Sequence, residues 1–557
     1  MTMDWESLAM TRGSFRGILE ASEAPDHSAI DERRRAKQKG AVDAAPRDLA
    51  KSRKDAFTTV LLAIAAVAAL AAVAWVLCAV RGRPDNPVEA ELIFEAARVA
   101  RGWPLYVDPA VGASELGAPP SRYLVLYTPV WPFLVGHLGK LGGASQEVLR
   151  LTGRTLATLG WLTVFVAPVL GGPLRTRRAT LIAALLGAGI YFLGRNAPTV
   201  TPDTVATALV CVAFVRIGRQ QRVGALSAAL LVMAPFFKPS CLGAGAGLAI
   251  AMLVPAGVGV STVGPSTPRL RAFVSAAVVG TLAVLFCHVM SDGQWLVHLS
   301  RSTKQPLTWE RFTQEMGSRL VVLGLPQLVV AIVALRRGAS RLLTWPLLAS
   351  MAWASFAMAK HGSGSHYWLE PTALSVVAIA FLPPATVARG EALLLRLLAL
   401  VAAVLVAVTA LPAYLKEFDR WKVRRASFAA LDAHCTRGPG EIVASSDLDV
   451  EMILDDRITV PDWQSSFLAR RGVFPLGAWR ADLRDPHVRW VVLPFDPDQP
   501  APDTNDEKIE VSAYRDVLRD VLHQTFTRDG WVGGFLVFRR SPDGAGAATM
   551  SGPGGPR

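Results

Sequence analysis

Residues able to hold a proton or a phosphate are scarce between Ala56 and Leu415, so where they fall is informative. Glu89, Glu91 and Glu95 open "PVEAELIFEAARVARGWPLY", and Arg154 stands at the start of a later apolar run. Asp203 follows Pro202 in "RNAPTVTPDTVATAL", and Lys238 breaks "APFFKPS". His298, Arg301 and Lys304 share "SDGQWLVHLSRSTKQPLTWERF". Lys360, His361, His366, Tyr367 and Glu370 crowd into "AKHGSGSHYWLEP". Carboxylates of this kind can take a proton from a reacting hydroxyl, and cations can hold a phosphate as charge develops on it.

Each position also has a plain structural reading. Glutamates in a first turn complement the helix dipole. An aspartate after proline caps a helix, and a lysine at the end of a span snorkels. Tyr127, in "SRYLVLYTPVWPFLVGHLGKL", suits an aromatic belt at a membrane interface. Taken together, however, Arg154, Lys238, Arg301, Lys304 and Lys360 alongside Glu89 and Asp203 describe a site for a phosphate-bearing lipid. The sequence contains no Walker motif, no CxxC and no HExxH, so nothing in it points to ATP hydrolysis or zinc chemistry.

The elements that must position these residues are membrane spans. The chain of 557 residues is 51% hydrophobic and only 18% charged, against roughly 25% in soluble proteins. Apolar runs occur at Phe57–Val80, Thr152–Leu170, Ala179–Leu193, Val200–Ile217, Val223–Phe237, Ser240–Val258, Ala272–Met290, Leu320–Leu335, Leu342–Met358, Trp368–Leu382 and Leu393–Tyr414. That gives about eleven transmembrane helices, several of them short. With the N-terminus inside, the loops "RTRR", "GRQQR", "RLR", "RRGASR" and "ARGE" all fall on the cytoplasmic side. The net charge of +13 is thus topogenic, and nucleic acid is not an expected partner. The five cysteines imply no disulfide framework.

The expected organisation has four parts: a cytosolic disordered tail over residues 1–56, a transmembrane domain over 57–415 with an outer loop at 81–151, a small α/β domain over 416–540, and a disordered tail over 541–557. An odd number of spans puts the α/β domain outside, on the extracytoplasmic or periplasmic face of a plasma (inner) membrane. Its expected strands are "EIVAS", "RITV", "RWVVLPF" and "GGFLVFRR", with a helix in "YRDVLRDVLHQTF". Within the outer loop, a short amphipathic helix is expected to end at Gly102.

The order and spacing of several motifs resemble the polytopic GT-C glycosyltransferases, in the branch of protein O-mannosyltransferases and aminoarabinose transferases. "EAELIFEAARVARGWPLY" resembles that branch's acidic motif with its G-x-P-L-Y end, and "YTPVWPFLVGHLGKL" with "GRTLATLGWL" resembles its YPPL helix and GR span. "TPDTVATAL", "FFKPS" and "KHGSGSHYWLEP" resemble its later motifs. The likeness runs from Phe57 to about Tyr414. It departs where "YTP" stands for YPP, where Glu89 stands for the commoner aspartate, and where His366 occupies a position usually held by asparagine.

The resemblance implies an inverting transfer of a sugar from a polyprenyl-phosphate donor to a hydroxyl of a glycan, lipid or protein acceptor. It makes Glu89 the general base and puts Lys238 and Lys360 near the donor phosphate. Asp203 would orient the acceptor, with a divalent cation there as the lesser role and no other cofactor implied. Tyr127, His361, His366, Tyr367 and Glu370 would line the donor and acceptor sites. A transporter or lipid flippase would instead place its ionisable residues near mid-membrane within inverted repeats. A non-catalytic scaffold would use the outer domain alone.

Overall fold

A computed structural model of the chain describes residues 87–106, 125, 127–193, 199–253, 266–302, 307–310, 312–313, 323–360, 364–383, 419, 422–445, 447, 450, 480–481, 483–499 and 519–542. The expected first and last spans, Phe57–Val80 and Leu393–Tyr414, lie outside these residues, as do both tails, Lys304 and His361. Before the C-terminal strands the described residues include α1 (Pro87–Arg101), α2 (Val130–Lys140), α3 (Gln146–Gly171), α4 (Arg177–Leu193), α5 (Asp203–Gln220), α6 (Ala225–Phe237), α7 (Gly243–Leu253), α8 (Ser266–Val289), α9 (Gln294–Ser302), α10 (Leu325–Arg336), α11 (Arg341–Ala357) and α12 (Leu369–Ala380). Each apolar run that falls on described residues is a helix. Two of these helices, α3 and α8, are long and apolar enough to cross a membrane by themselves, while α6, α7 and α10 are shorter apolar helices.

The boundaries follow local chemistry. The Ser145 hydroxyl accepts the Val148 N–H at 3.3 Å and caps α3. Pro202 precedes Asp203, so α5 opens with a carboxylate in its first turn. α1 stops at Gly102, whose φ of +75° suits only glycine at little strain. α1 differs from expectation in one respect. It is buried on every side from Glu89 to Ala100 and has no solvent-facing stripe. Its charged residues Glu89, Glu91, Glu95 and Arg98 are inside the protein.

Helices approach closely where residues are small. A Cβ on Gly160 of α3 would lie 2.8 Å from the Thr204 carbonyl carbon in α5. Trp161, Phe165, Phe214, Leu347, Leu369 and Val376 fill the core that this contact opens onto. A second core, containing Leu92, Ile93, Trp131, Leu149 and Val200, packs α1 against α2 and α3. There the Trp131 indole N–H donates to the Val200 carbonyl at 2.9 Å, which ties α2 to the entry of α5.

The C-terminal region holds a four-stranded sheet in the order β1-β2-β4-β3. Its elements are β1 (Ile442–Ser445), β2 (Val488–Leu493), α13 (Arg519–Thr525), β3 (Phe526–Val532) and β4 (Phe535–Arg540). β1 runs parallel to β2, β2 is antiparallel to β4, and β3 forms a hairpin with β4. Phe428, Leu431, Val443, Trp490, Val492 and Val537 make its core. β1, β2, β4 and α13 match the expected segments, "RITV" lies outside the described residues, and β3 was not expected at all. Cys211, Cys241, Cys287 and Cys435 are free thiols.

Candidate functional site

Four separate stretches of chain meet where α6 ends and α5 begins. Lys238, the residue after α6, turns its ammonium onto the Asp203 carboxylate, 3.1 Å from Oδ1 and 3.2 Å from Oδ2. The same ammonium donates to the Tyr127 hydroxyl at 3.1 Å. It also lies 4.5 Å from the centre of the Tyr127 ring and 5.8 Å from that of Tyr367. Two aromatic faces and one carboxylate thus replace the water a buried ammonium would lose. At the more exposed edge of this cluster, His366 places Nε2 4.0 Å from Asp203 Oδ1. Its ring leans on Tyr367, with centroids 4.6 Å apart.

The segment carrying Tyr127 is braced from several sides. The Tyr106 hydroxyl donates to the Tyr127 carbonyl at 2.6 Å. The Thr128 hydroxyl donates to the Phe236 carbonyl, two residues before Lys238. His298 of α9 accepts the Val125 N–H on Nδ1 at 3.0 Å and meets Tyr106 edge to face. Sequence reasoning missed Tyr106 as a brace. Its place in the "GWPLY" end of the acidic motif was the only signal.

Glu89 and Arg154 form a different arrangement. Arg154 Nε donates to Glu89 Oε1 at 2.5 Å and Nη2 to Oε2 at 2.9 Å, a two-pronged pair joining α1 to α3. Both side chains are buried. The sequence reading assigns Glu89 to proton removal and Arg154 to the donor phosphate. The structure closes them on each other, because a guanidinium fork matches both carboxylate oxygens at once.

The remaining expected residues divide further. Lys360 follows α11, half-buried, and its backbone bridges to Leu307. Burial holds its ammonium below the ordinary lysine range, and the positive charge of Lys238 adds to the effect. Arg301 lies half-buried in the last turn of α9, one turn from His298. Glu370 is expected to line the donor or acceptor site. Instead it is buried, accepting the Ser350 hydroxyl at 2.6 Å and the Ala244 N–H at 2.9 Å. That position pins α12 to α11 and to the first turn of α7, where a carboxylate meets the helix dipole favourably. Among the described residues no group of three or more His, Cys, Asp or Glu side chains gathers closely enough to hold a metal ion.

No protein-family model and no curated protein matches the sequence. Solved structures do match. ArnT from Cupriavidus metallidurans, in a crystal structure bound to undecaprenyl phosphate, superposes with a TM-score of 0.52 at 14% identity, covering 88% of this chain and 99% of that one. The apo crystal structure of the same ArnT gives 0.48 at 13% identity, covering 88% of this chain and 98% of that one. The arabinofuranosyltransferase AftD from Mycobacteria, seen by cryo-electron microscopy, gives 0.41 at 16% identity, covering 86% and 40%. The chain shares the fold of ArnT.

Proposed function

We propose that this GT-C-fold protein transfers a sugar from a polyprenyl-phosphate donor to an acceptor hydroxyl at the extracytoplasmic face of the membrane, with inversion. The observation that carries the reading is the cluster of Asp203, Lys238, Tyr127, Tyr367 and His366, with Lys360 near enough for its charge to be felt. Burial and the charge of Lys238 hold the half-buried Lys360 ammonium below its ordinary range, and an anionic donor phosphate beside the two lysines would offset their repulsion. ArnT, which shares the fold, was crystallised with undecaprenyl phosphate, and that supports a polyprenyl phosphate as the carrier. Arg301 and Lys304, in the same outer loop, would extend the cationic surface toward the departing lipid phosphate.

The reaction is a direct displacement. The acceptor oxygen attacks the anomeric carbon, the bond to the phosphate oxygen breaks, and negative charge grows on the phosphate. Lys238 and Lys360 would stabilise that charge more strongly in the transition state than in the ground state, which is what lowers the barrier. Asp203 would supply the negative charge that proton removal requires. Support for Asp203 over Glu89 lies in their partners: a guanidinium fork grips Glu89 through two parallel hydrogen bonds, whereas Asp203 faces a single ammonium and has Oδ1 4.0 Å from His366. The topology that goes with this reading has about eleven spans, a cytoplasmic N-terminus and an outer C-terminal sheet domain that positions a bulky acceptor.

Detergent-solubilised protein incubated with labelled polyprenyl-phosphate hexoses and pentoses should release free polyprenyl phosphate. Lys238→Met should lose that release while remaining folded at reduced stability. Release by Lys238→Met at the wild-type rate would remove the cluster from the reaction, and no release from wild-type protein with any donor would remove the reaction itself.

A further inference from the structure

The Tyr127 hydroxyl accepts a hydrogen bond from the Lys238 ammonium at 3.1 Å, so where that hydroxyl stands sets how the ammonium is presented. Tyr127 itself belongs to neither a helix nor a strand, and side chains from other elements hold its segment. We propose that His298 is a positioning residue for donor binding: it fixes the Tyr127 segment, and through Tyr127 the Lys238 ammonium, without touching the donor. This rests on the transferase reading above.

Three observations carry the assignment. His298 Nδ1 accepts the Val125 N–H at 3.0 Å, two residues before Tyr127, so the neutral ring carries its hydrogen on Nε2. The same ring stands edge to face on Tyr106, with centroids 5.1 Å apart, and the Tyr106 hydroxyl donates to the Tyr127 carbonyl at 2.6 Å. One imidazole thus bears on both supports of Tyr127. Finally, His298 is fully buried, and its partners Tyr106 and Val125 belong to an apolar core with Phe94, Leu105, Cys287 and Trp295. A position that needed only volume there would suit leucine, since burying an imidazole costs free energy unless it is hydrogen-bonded.

α9, which carries His298, is itself fixed at its start. The Ser291 hydroxyl donates to the Cys287 carbonyl at 2.6 Å and accepts the Trp295 N–H at 3.3 Å, tying the first turn of α9 to the last turn of α8. Between them Asp292 and Gly293, with φ of +47° and +78°, reverse the chain. Trp295, His298 and Leu299 then share one helix face, and that face packs inward. The route from α9 to the donor site has three links: His298 to Val125 and Tyr106, those two to Tyr127, and Tyr127 to Lys238. Breaking the first link lets the Tyr127 hydroxyl withdraw from the ammonium, while the groups that act on the reacting atoms stay in place.

The test is a titration of the full chain in detergent with undecaprenyl phosphate, alongside polyprenyl phosphate release at saturating donor. His298→Leu should weaken binding by roughly fivefold to tenfold, because the Val125 N–H loses its acceptor. Its kcat should stay within about twofold of wild type, the split expected when binding alone is lost. His298→Asn, whose carbonyl oxygen stands near the place of Nδ1, should restore the affinity; His298→Gln, whose amide reaches the place of Nε2, should not. In a Tyr127→Phe background, adding His298→Leu should cost less than about twofold more, since both changes break the same route. Should His298→Leu not fold, His298→Gln takes its place in that cycle. A full fivefold to tenfold loss on top of Tyr127→Phe, or equal affinity in the Asn and Gln variants, overturns the role while leaving the transferase standing. Wild type that binds no undecaprenyl phosphate overturns both.

Discussion

Glu89 and Asp203 are both buried carboxylates facing a cation from another part of the chain, yet the two pairs are differently built. Arg154 grips Glu89 through two parallel hydrogen bonds and engages both oxygens, so the pair is closed. Lys238 is a point charge beside two tyrosine rings, and although it reaches both Asp203 oxygens, Oδ1 also lies 4.0 Å from the partly exposed His366. A closed pair locks two helices together. An open pair keeps charge available beside a group that can change its protonation state. The same residue classes therefore serve different ends, and the geometry of the cation decides which.

The comparison can be broken most directly at Asp203. Asp203→Asn should lower turnover at least a thousandfold and leave a buried, uncompensated ammonium, destabilising the fold by about 3–5 kcal/mol. Thermal unfolding of Asp203→Asn should be partly restored by adding Lys238→Met, whereas turnover should not. Glu89→Gln should destabilise by a similar amount, since the Arg154 fork then loses the carboxylate it grips, but turnover per folded molecule should stay within about tenfold of wild type. Abolished turnover with a normal melting temperature would return the base to Glu89 and reverse the comparison.

Two smaller effects sharpen it. Lys360 titrates below the ordinary lysine range, so the affinity for undecaprenyl phosphate should fall as pH rises through that depressed pKa. Below it the ammonium is charged and binding is full. Lys360→Arg, which keeps its charge, should move the loss of affinity to higher pH in a binding titration. Tyr127→Phe keeps the ring over Lys238 but removes the 3.1 Å hydrogen bond, and should weaken donor binding by roughly fivefold to tenfold.

Much of the helical architecture was legible because apolar runs and basic loops are local signals. Thr152–Leu170 and Ala272–Met290 end within one residue of α3 and α8 for that reason, though each starts six residues after its helix does. Asp203 and Lys238 stood out because ionisable residues are rare in such runs. Their contact was not legible, nor was that of Glu89 with Arg154 across 65 positions, since no periodicity links residues brought together by helix packing. The burial of α1 was missed because its glutamates read as a solvated face. β3, "FTRDGWV", was missed because it alternates poorly and carries a mostly exposed face. The signal that could have found it is the Gly533–Gly534 pair, with φ of +59° and +84°, a tight turn folding β3 back onto β4.

The all-round enclosure of α1 bears on how the chain is made. A segment with three glutamates and two arginines in fifteen residues has no stable lodging in lipid when it emerges from the ribosome. The counter-charge for Glu89 arrives only with Arg154, 65 residues later. On the membrane topology proposed above, α1 is therefore expected to join the bundle only after α3, an order that cysteine labelling of truncated nascent chains would check.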